Sequence, residues 1–408
     1  MTSSNISSRR RILLQRNFFS MFWLSAFMNA KMVALIATVF YLHRGLTNAE
    51  IFYTSIVWSI IILLLEIPSS YLADRLGRKK LMLVGCFLAL GTLIIYLFAF
   101  GFWAMAAAVV FLAASFACFS GTDEAMIYDT GKELGESRDS FKNLGKYYSG
   151  NRIFKIFTPI IAASIANNLA AEQFNLLIYI DIATTFISTI FALRLTEPNH
   201  HLDVEKMEKG VFRDALNFFK MEPATLRAML SRTMVFIAAF IIYRISQDYF
   251  LDIGLTLFTA SIGTAFLQFT TYLGSKHIHK LEKRFSTENL INIFNLIFSL
   301  FCGVFVLACF QNLWPLMVLA LYTLFESMEA IRWPIYAHYF NQKSHSYNRA
   351  TTLSMTSLMK SLLDIPLLFI ASVLAGYDTR WVFLFGFLLA VIVTATTWLK
   401  PSPVQDKA

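Results

Sequence analysis

The sequence predicts an all-α polytopic membrane protein, with twelve transmembrane helices in two pseudo-repeated six-helix halves. Three observations lead to this prediction. Hydrophobic residues make up 57% of the 408 residues and charged residues only 15%. The apolar residues form continuous runs, and most basic residues fall between those runs. The net charge of +9 is spread over short connectors, which favours membrane orientation and not nucleic-acid binding.

The apolar runs are each about 20 residues or longer, which is the helix length needed to cross about 30 Å of hydrocarbon. They lack the alternation of apolar and polar residues that a membrane barrel needs. The first run follows basic residues without a small-residue cleavage site, so we expect it to be retained. The predicted span centres lie near residues 30, 61, 89, 114, 159, 184, 239, 266, 298, 325, 362 and 389.

The distribution of basic residues predicts the orientation. Most Lys and Arg residues lie at the termini and in the connectors that begin near 74, 130, 196, 276 and 341. Because cytoplasmic loops carry the excess of basic residues, these connectors and both termini are expected on the cytoplasmic side of the inner (cytoplasmic) membrane. The chain is expected to be embedded in the lipid bilayer. It is also expected to be a monomer.

The longest connector divides the chain into an N-terminal half at 1–195, a linker at 196–226 and a C-terminal half at 227–408. Part of the linker has apolar residues at helical spacing opposite basic ones, which indicates an amphipathic helix at the membrane surface. Its apolar positions are Met207, Val211, Ala215 and Phe218. A solvated charged linker is the alternative.

Two similar segments indicate an internal duplication. The segment SSYLADR at 69–75 and the segment TTYLGSK at 270–276 both follow the second apolar span of their half. Such repeats are frequent in membrane transporters. Coincidence is the alternative, because the matched segments are only seven residues long.

The first of these segments continues into GRKK and resembles the signature G-x-x-x-D-R-x-G-R-K of the major facilitator superfamily. The matching positions are Ser70, Asp74, Arg75, Gly77, Arg78 and Lys79. Ser70 departs from the pattern by replacing a glycine. The resemblance also covers the number of spans and the long middle connector. It implies the fold of that superfamily and solute transport by alternating access.

The resemblance further implies a conformational latch, in which Asp74 and Arg75 link the two halves on the cytoplasmic side. Either Asp123 or Asp129, at the inner end of the fourth span, is expected to pair with Arg75. For Arg78 we favour the alternative that it only fixes the membrane orientation. The full set of predicted latch residues is Asp74, Arg75, Gly77, Arg78, Asp123 and Asp129.

Charged residues deep in the spans are the candidates for substrate chemistry, because each costs roughly 2.5 to 3.5 kcal/mol on insertion scales unless it is paired or hydrated. The resemblance places the first, fourth, seventh and tenth spans around a central cavity. The predicted substrate-binding residues are Asn29, Lys31, Arg244, Tyr322 and Glu326. Glu326 is also the predicted proton-coupling group. Glu329 is the second candidate for proton coupling, although it is able to pair with Arg332. Asp364 is a further candidate and is able to pair with Lys360.

No metal-binding HExxH motif and no phosphate-binding loop occurs in the sequence. We therefore expect no catalysis, no cofactor and no metal. The predicted function is proton-coupled secondary transport, with export, of a small organic solute. Deep basic residues and abundant aromatic residues favour an amphiphilic organic acid or a zwitterion. The alternatives are import, or a sensor or partner-binding protein on the same fold, for which a large additional domain would be expected.

Overall fold

The computed structural model describes residues 7–136, 140–155, 157–199, 223–281, 284–343 and 349–400. All regular elements in these ranges are helical. In the first part of the chain they are α1 (Ser8–Met28), a 3-10 helix (Val33–Ile36), α2 (Ala37–His43), α3 (Asn48–Leu76), α4 (Arg78–Phe98), α5 (Gly101–Phe119), α6 (Thr122–Leu134), α7 (Ser140–Ile153), α8 (Thr158–Ile165) and α9 (Ala171–Leu193). The remaining helices are α10 (Pro223–Asp252), α11 (Leu257–Leu281), α12 (Thr287–Phe310), α13 (Pro315–Lys343), α14 (Arg349–Ala375) and α15 (Thr379–Thr396).

Helices of the described residues agree with nine of the twelve predicted membrane spans in length and apolar composition. In the described parts of the chain, 9 helical segments are long and apolar enough to cross a membrane. The other predicted spans correspond to α7 with α8, to α11 and to α13. Helix α13 is less apolar because Glu326, Glu329 and Arg332 lie within it. The predicted centres all fall in helices except the first, near residue 30, where the chain breaks between α1 and the 3-10 helix.

The chain divides into two compact units. One contains Met1–Leu46 and Thr54–Asp203, and the other contains Thr47–Tyr53 and Val204–Ala408. One boundary between the units lies between residues 203 and 204, within the connector at 196–226, and the first turns of α3 belong to the second unit. The assignment of two halves and a linker stays a prediction. Residues 200–222 of that connector, with the predicted amphipathic helix, lie outside the described residues.

Close helix packing builds each unit. In the first unit α4 packs on α5, and Gly85 is needed there because an added Cβ would meet the Phe119 ring at 2.7 Å. The hydroxyl of Ser115 donates to the Gly85 carbonyl oxygen at 2.7 Å at the same contact. In the second unit α13 packs on α12 around a core that includes Ile291 and Ile335.

A buried asparagine fixes the end of each unit. The Asn17 side chain donates to the carbonyl oxygen of Thr196 and accepts from its amide, both at 2.8 Å. Asn292 makes the same pair of bonds with Leu399, at 2.7 and 3.0 Å. In both cases the asparagine side chain bonds a backbone N–H and C=O just after the last helix of the unit, where these groups have no partner within a helix.

Candidate functional site

The first predicted span is interrupted in its middle. Helix α1 ends at Met28 and the 3-10 helix begins at Val33. The Asp181 carboxylate of α9 accepts hydrogen bonds from the amides of Met32 at 2.7 Å and of Val33 at 3.1 Å. The first amides of a helix have no partner within it, so this carboxylate satisfies donors that the break exposes. Asp181 is only 1% exposed.

Lys31 lies in this break and is held by α9. Its Nζ donates to the hydroxyl of Thr185, and that hydroxyl donates at 2.6 Å to the Asp181 carbonyl oxygen. Lys31 also attracts the Asp181 carboxylate electrostatically. The Asn29 side chain donates to the Ser25 carbonyl oxygen at 2.9 Å and so turns back onto α1. The usual helix-breaking residues do not mark this break, because residues 26–36 contain neither proline nor glycine.

The turn between α3 and α4 carries the predicted latch sequence. Gly77 has φ +98°, which a residue with a side chain rarely adopts. The Glu197 carboxylate accepts from the amides of Arg78 and Lys79, both at 2.8 Å. Glu197 thus caps the N-terminus of α4, where a negative charge is stabilising. Sequence reasoning missed Glu197, since 119 positions separate it from its first partner.

Arg78, and not Arg75, contacts an acid at the inner end of the fourth span. The Arg78 guanidinium forms an ion pair with Asp129, donates to the Ala125 carbonyl oxygen and lies 4.0 Å from Asp74. Arg75 is exposed and makes no ion pair with a described residue. This differs from the expected pairing of Arg75. The reason is the Gly77 turn, after which the first residue of α4 faces α6.

The second acid at this end, Asp123, has a different partner. Its carboxylate accepts from the hydroxyl of Tyr147 on α7 at 2.5 Å and from the amide of Glu124 at 2.7 Å. Asp123 therefore fixes α6 against α7, whereas Asp129 holds α4. The two acids that the sequence offered as alternatives thus make separate contacts.

Helix α13 of the second unit carries the deep acids. The Oε1 atom of Glu326 is buried and has no hydrogen-bond partner among the described residues. Its main charged neighbour is another acid, Glu329. Tyr322, one turn earlier, is buried and accepts from the Ser246 hydroxyl of α10 at 3.2 Å. Arg244 lies on the same helix as Ser246.

The other two candidate acids are bonded. Glu329 accepts from Trp333 Nε1 at 3.0 Å and forms no ion pair with Arg332. Asp364 accepts from Lys360 at 2.5 Å, which confirms the pairing predicted from their spacing of four residues. Among the contacts between described residues, Glu326 is therefore the one of these three acids with a buried oxygen left unbonded and no cation bound to it.

The sequence matches the family model of the Major Facilitator Superfamily over residues 18–365. The chain belongs to this superfamily. No curated protein sequence matches it. Its fold is similar to that of a variant of the nucleoside transporter NupG, with a TM-score of 0.77, 14% identity, and coverage of 94% of this chain and 98% of that one.

Two further solved structures share the fold. A D-xylose-proton symporter has a TM-score of 0.68 and 11% identity, and the match covers 97% of this chain and 99% of that one. A bacterial homologue of the human lysosomal transporter Spinster, in an inward-facing and occupied conformation, has a TM-score of 0.67 and 14% identity, with 97% of each chain covered. Because the sequence identities are this low, these three structures show similarity of fold alone.

Membership of the superfamily accounts for the sequence signature at 70–79, which lies at the turn from α3 to α4. This member of the superfamily is a multi-pass membrane protein. The family and the fold indicate a transporter and not an enzyme.

Proposed function

We propose that the protein is a secondary active transporter of a small organic solute, driven by protons and working by alternating access. Its family supports transport, and the similar structures include transporters of nucleosides and of D-xylose with protons. We further propose export of an amphiphilic organic acid or zwitterion across the inner membrane, with both termini in the cytoplasm. The excess of basic residues in the connectors supports this orientation.

One observation carries the proton coupling: inside a predicted span, the buried Oε1 atom of Glu326 has no hydrogen-bond partner among the described residues. A buried carboxylate without a cation or a set of donors is costly in a medium of low dielectric constant, and binding a proton removes that cost. The neighbouring Glu329 adds repulsion between like charges. Glu326 is thus the proposed site of proton binding. Glu329 and Asp364 take secondary places because both already accept a hydrogen bond.

The broken first span supports a role in binding. In transporters, interrupted helices often surround the substrate or the coupling ion, because their ends offer free backbone groups. We assign Asn29 and Lys31 to this role in the first unit, and Arg244 and Tyr322 in the second. A conformational change that breaks the Lys31 to Thr185 hydrogen bond would release an ammonium group for an anionic substrate.

The turn after α3 is the proposed latch. Its residues Asp74, Arg75 and Gly77 match the superfamily signature, and Arg78 with Asp129 holds the start of α4 in place. We propose that this fixed turn positions Asp74 and Arg75 for contacts that exist in only one state of the transport cycle. A contact made in one state shifts the balance between states by its own free energy.

The transport proposal is tested by comparing metabolites in cells and in medium, with and without the gene. An exporter leaves its solute at a higher level inside the cells that lack the gene, whereas an importer leaves it in the medium. The solute so identified is then tested for counterflow in proteoliposomes. Counterflow is expected of a carrier. A purified, folded protein that binds the solute without counterflow would instead support the sensor alternative.

A further inference from the structure

The Arg332 side chain on α13 is buried in the second unit and only 2% exposed. A guanidinium has five N–H donors and stays charged at any physiological pH. Its one hydrogen bond to a described residue runs from Nη2 to the Tyr336 hydroxyl, at 3.3 Å. The Nε and Nη1 atoms are buried and have no acceptor among the described residues. Most donors of this charged group are therefore unused.

No carboxylate of a described residue neutralises Arg332 by an ion pair. Glu329, one turn away, attracts Arg332 electrostatically but forms its hydrogen bond with Trp333, through Oε1. Removing an ion from water costs several kcal/mol when no partner repays it. Unsatisfied buried polar groups are rare in folded proteins, and deep charges in membrane proteins mark functional sites by default. The unused donors of Arg332 thus point to an acceptor that binds from outside the chain.

The side chains around Arg332 hold it in a fixed position. The Tyr336 hydroxyl, which accepts its Nη2, lies 2.7 Å from the Ser231 hydroxyl, and Ser231 accepts from Asn295 at 2.7 Å. The guanidinium carbon lies 5.2 Å from the centre of the Tyr336 ring and 5.9 Å from that of Phe298. A charge held in place loses little entropy on binding a ligand.

Aromatic rings and a second arginine adjoin this position. Arg232 on α10 lies 4.3 Å from the centre of the Trp333 ring. The Phe236 ring meets Trp333 edge to face at 5.9 Å. Arg232 and Arg332 repel each other electrostatically, and Glu329 attracts both of them. An anion binding between them would relieve that repulsion, and the rings would contact an apolar body.

We propose that Arg332, supported by Arg232, binds the oxyanion of an organic solute, either a carboxylate or a phosphate, on a ring-containing body. The inference rests on the proposed transport function and deepens it by naming the group of the solute that is recognised and the residue that anchors it. Arg332 is better suited to this than Lys31, because the Lys31 ammonium already donates to Thr185.

The test measures binding of three small probes to the purified full-length protein in detergent. Benzoate and phenyl phosphate carry an oxyanion, and benzamide is their neutral counterpart. The fraction of monodisperse protein after heating is followed at equal ionic strength. We expect both oxyanions, or one of them, to raise the thermal midpoint of the wild type more than benzamide does. The probe that raises the midpoint more shows whether the site prefers a carboxylate or a phosphate.

Variants locate the effect. Arg332→Met should abolish the difference between the oxyanions and benzamide, and Arg332→Lys should weaken the apparent affinity at least threefold, because an ammonium offers fewer donors. Arg380→Met is the matched control. It also removes one arginine of the second unit, but one that is bonded to Asp378 and partly exposed, so it should keep the difference.

Two results would overturn the proposal. One is a wild type that responds equally to benzamide and to both oxyanions, and the other is an undiminished difference in Arg332→Met. If Arg332→Met does not fold, the proposal is overturned when Arg332→Lys binds the oxyanion as tightly as the wild type does. Binding in detergent requires no transport, so oxyanion binding without counterflow contradicts only the proposed function. Counterflow that Arg332→Met leaves unchanged contradicts only the oxyanion site.

Discussion

The Arg78 guanidinium forms an ion pair with the Asp129 carboxylate and so joins the start of α4 to α6 within one unit. Both side chains are mostly buried, at 9% and 13% exposed. The bond to the Ala125 carbonyl oxygen adds a second anchor on α6. The resemblance to the superfamily implied Arg75 as the partner of either Asp123 or Asp129, and that latch stays a prediction. The contact instead makes Arg78 a residue on which the packing of the first unit depends.

Arg78→Ala is expected to lower the thermal midpoint and the yield of folded protein. Removing one partner of a buried pair leaves the other uncompensated and costs about 3 to 5 kcal/mol, and the remaining exposure places this pair at the lower end. The measurement is thermal unfolding in detergent. Arg75→Ala is the control, because Arg75 is exposed, and its midpoint should stay near that of the wild type. Equal losses in both variants would contradict this assignment.

Replacing Glu197 by Ala should weaken the first turn of α4. The carboxylate caps the amides of Arg78 and Lys79, and loss of such a cap costs about 1 kcal/mol. Hydrogen exchange measured at these two amides should become faster, while the amides in the middle of α4 keep their protection. Glu136→Ala removes an acid at the end of α6 as a control. Unchanged exchange in Glu197→Ala would show that the cap contributes nothing.

Asp181 and Lys31 should show energetic coupling. Asp181→Asn leaves a single acceptor for two amides and removes the charge that attracts Lys31, so it should destabilise the protein markedly. Lys31→Met leaves the carboxylate without that cation. In the double variant both charges are absent, and we expect a smaller loss than the sum of the two single losses. If the loss in thermal midpoint of the double variant equals the sum of the two single losses, Asp181 and Lys31 are not energetically coupled.

Glu326→Gln should abolish accumulation driven by a pH gradient and preserve exchange of solute, because exchange requires no net proton movement. Both are measured in proteoliposomes with the solute that the metabolite comparison identifies. Glu329→Gln is the matched control on the same helix and should keep accumulation, since Glu329 is held by Trp333. Accumulation that persists in Glu326→Gln would remove Glu326 from the coupling mechanism.

The loop before α15 contains a pH-dependent contact. Hydrogen bonding from Arg380 holds the pKa of Asp378 below its ordinary value, and Asp378 also accepts from the Arg380 amide at 2.7 Å. A lowered pKa in the folded state stabilises the fold above the ordinary carboxyl pKa of about 4, and this contribution is lost as the pH falls through the lowered value. The difference in thermal midpoint between wild type and Asp378→Asn should therefore shrink below about pH 4. It should be small at pH 7, because the pair is partly exposed.

The helical membrane fold was predictable from the sequence, and so was the pairing of Lys360 with Asp364. Both depend on information that is local along the chain. A continuous apolar run of about 20 residues satisfies its own backbone as a helix in lipid, whatever its neighbours are. A spacing of four residues places two side chains on the same face of a helix.

Tertiary structure alone decided the contacts of the candidate site. Asp181 reaches Met32 from 149 positions away, and the break in the first span is stable because that carboxylate satisfies the exposed amides. No proline or glycine near residue 30 encodes the break, and the acid that stabilises it lies on α9. Likewise, the choice between Arg75 and Arg78 depends on the direction in which the chain leaves the Gly77 turn. Long-range partners and the direction of a turn are set by packing, and a pattern read along one segment does not contain them.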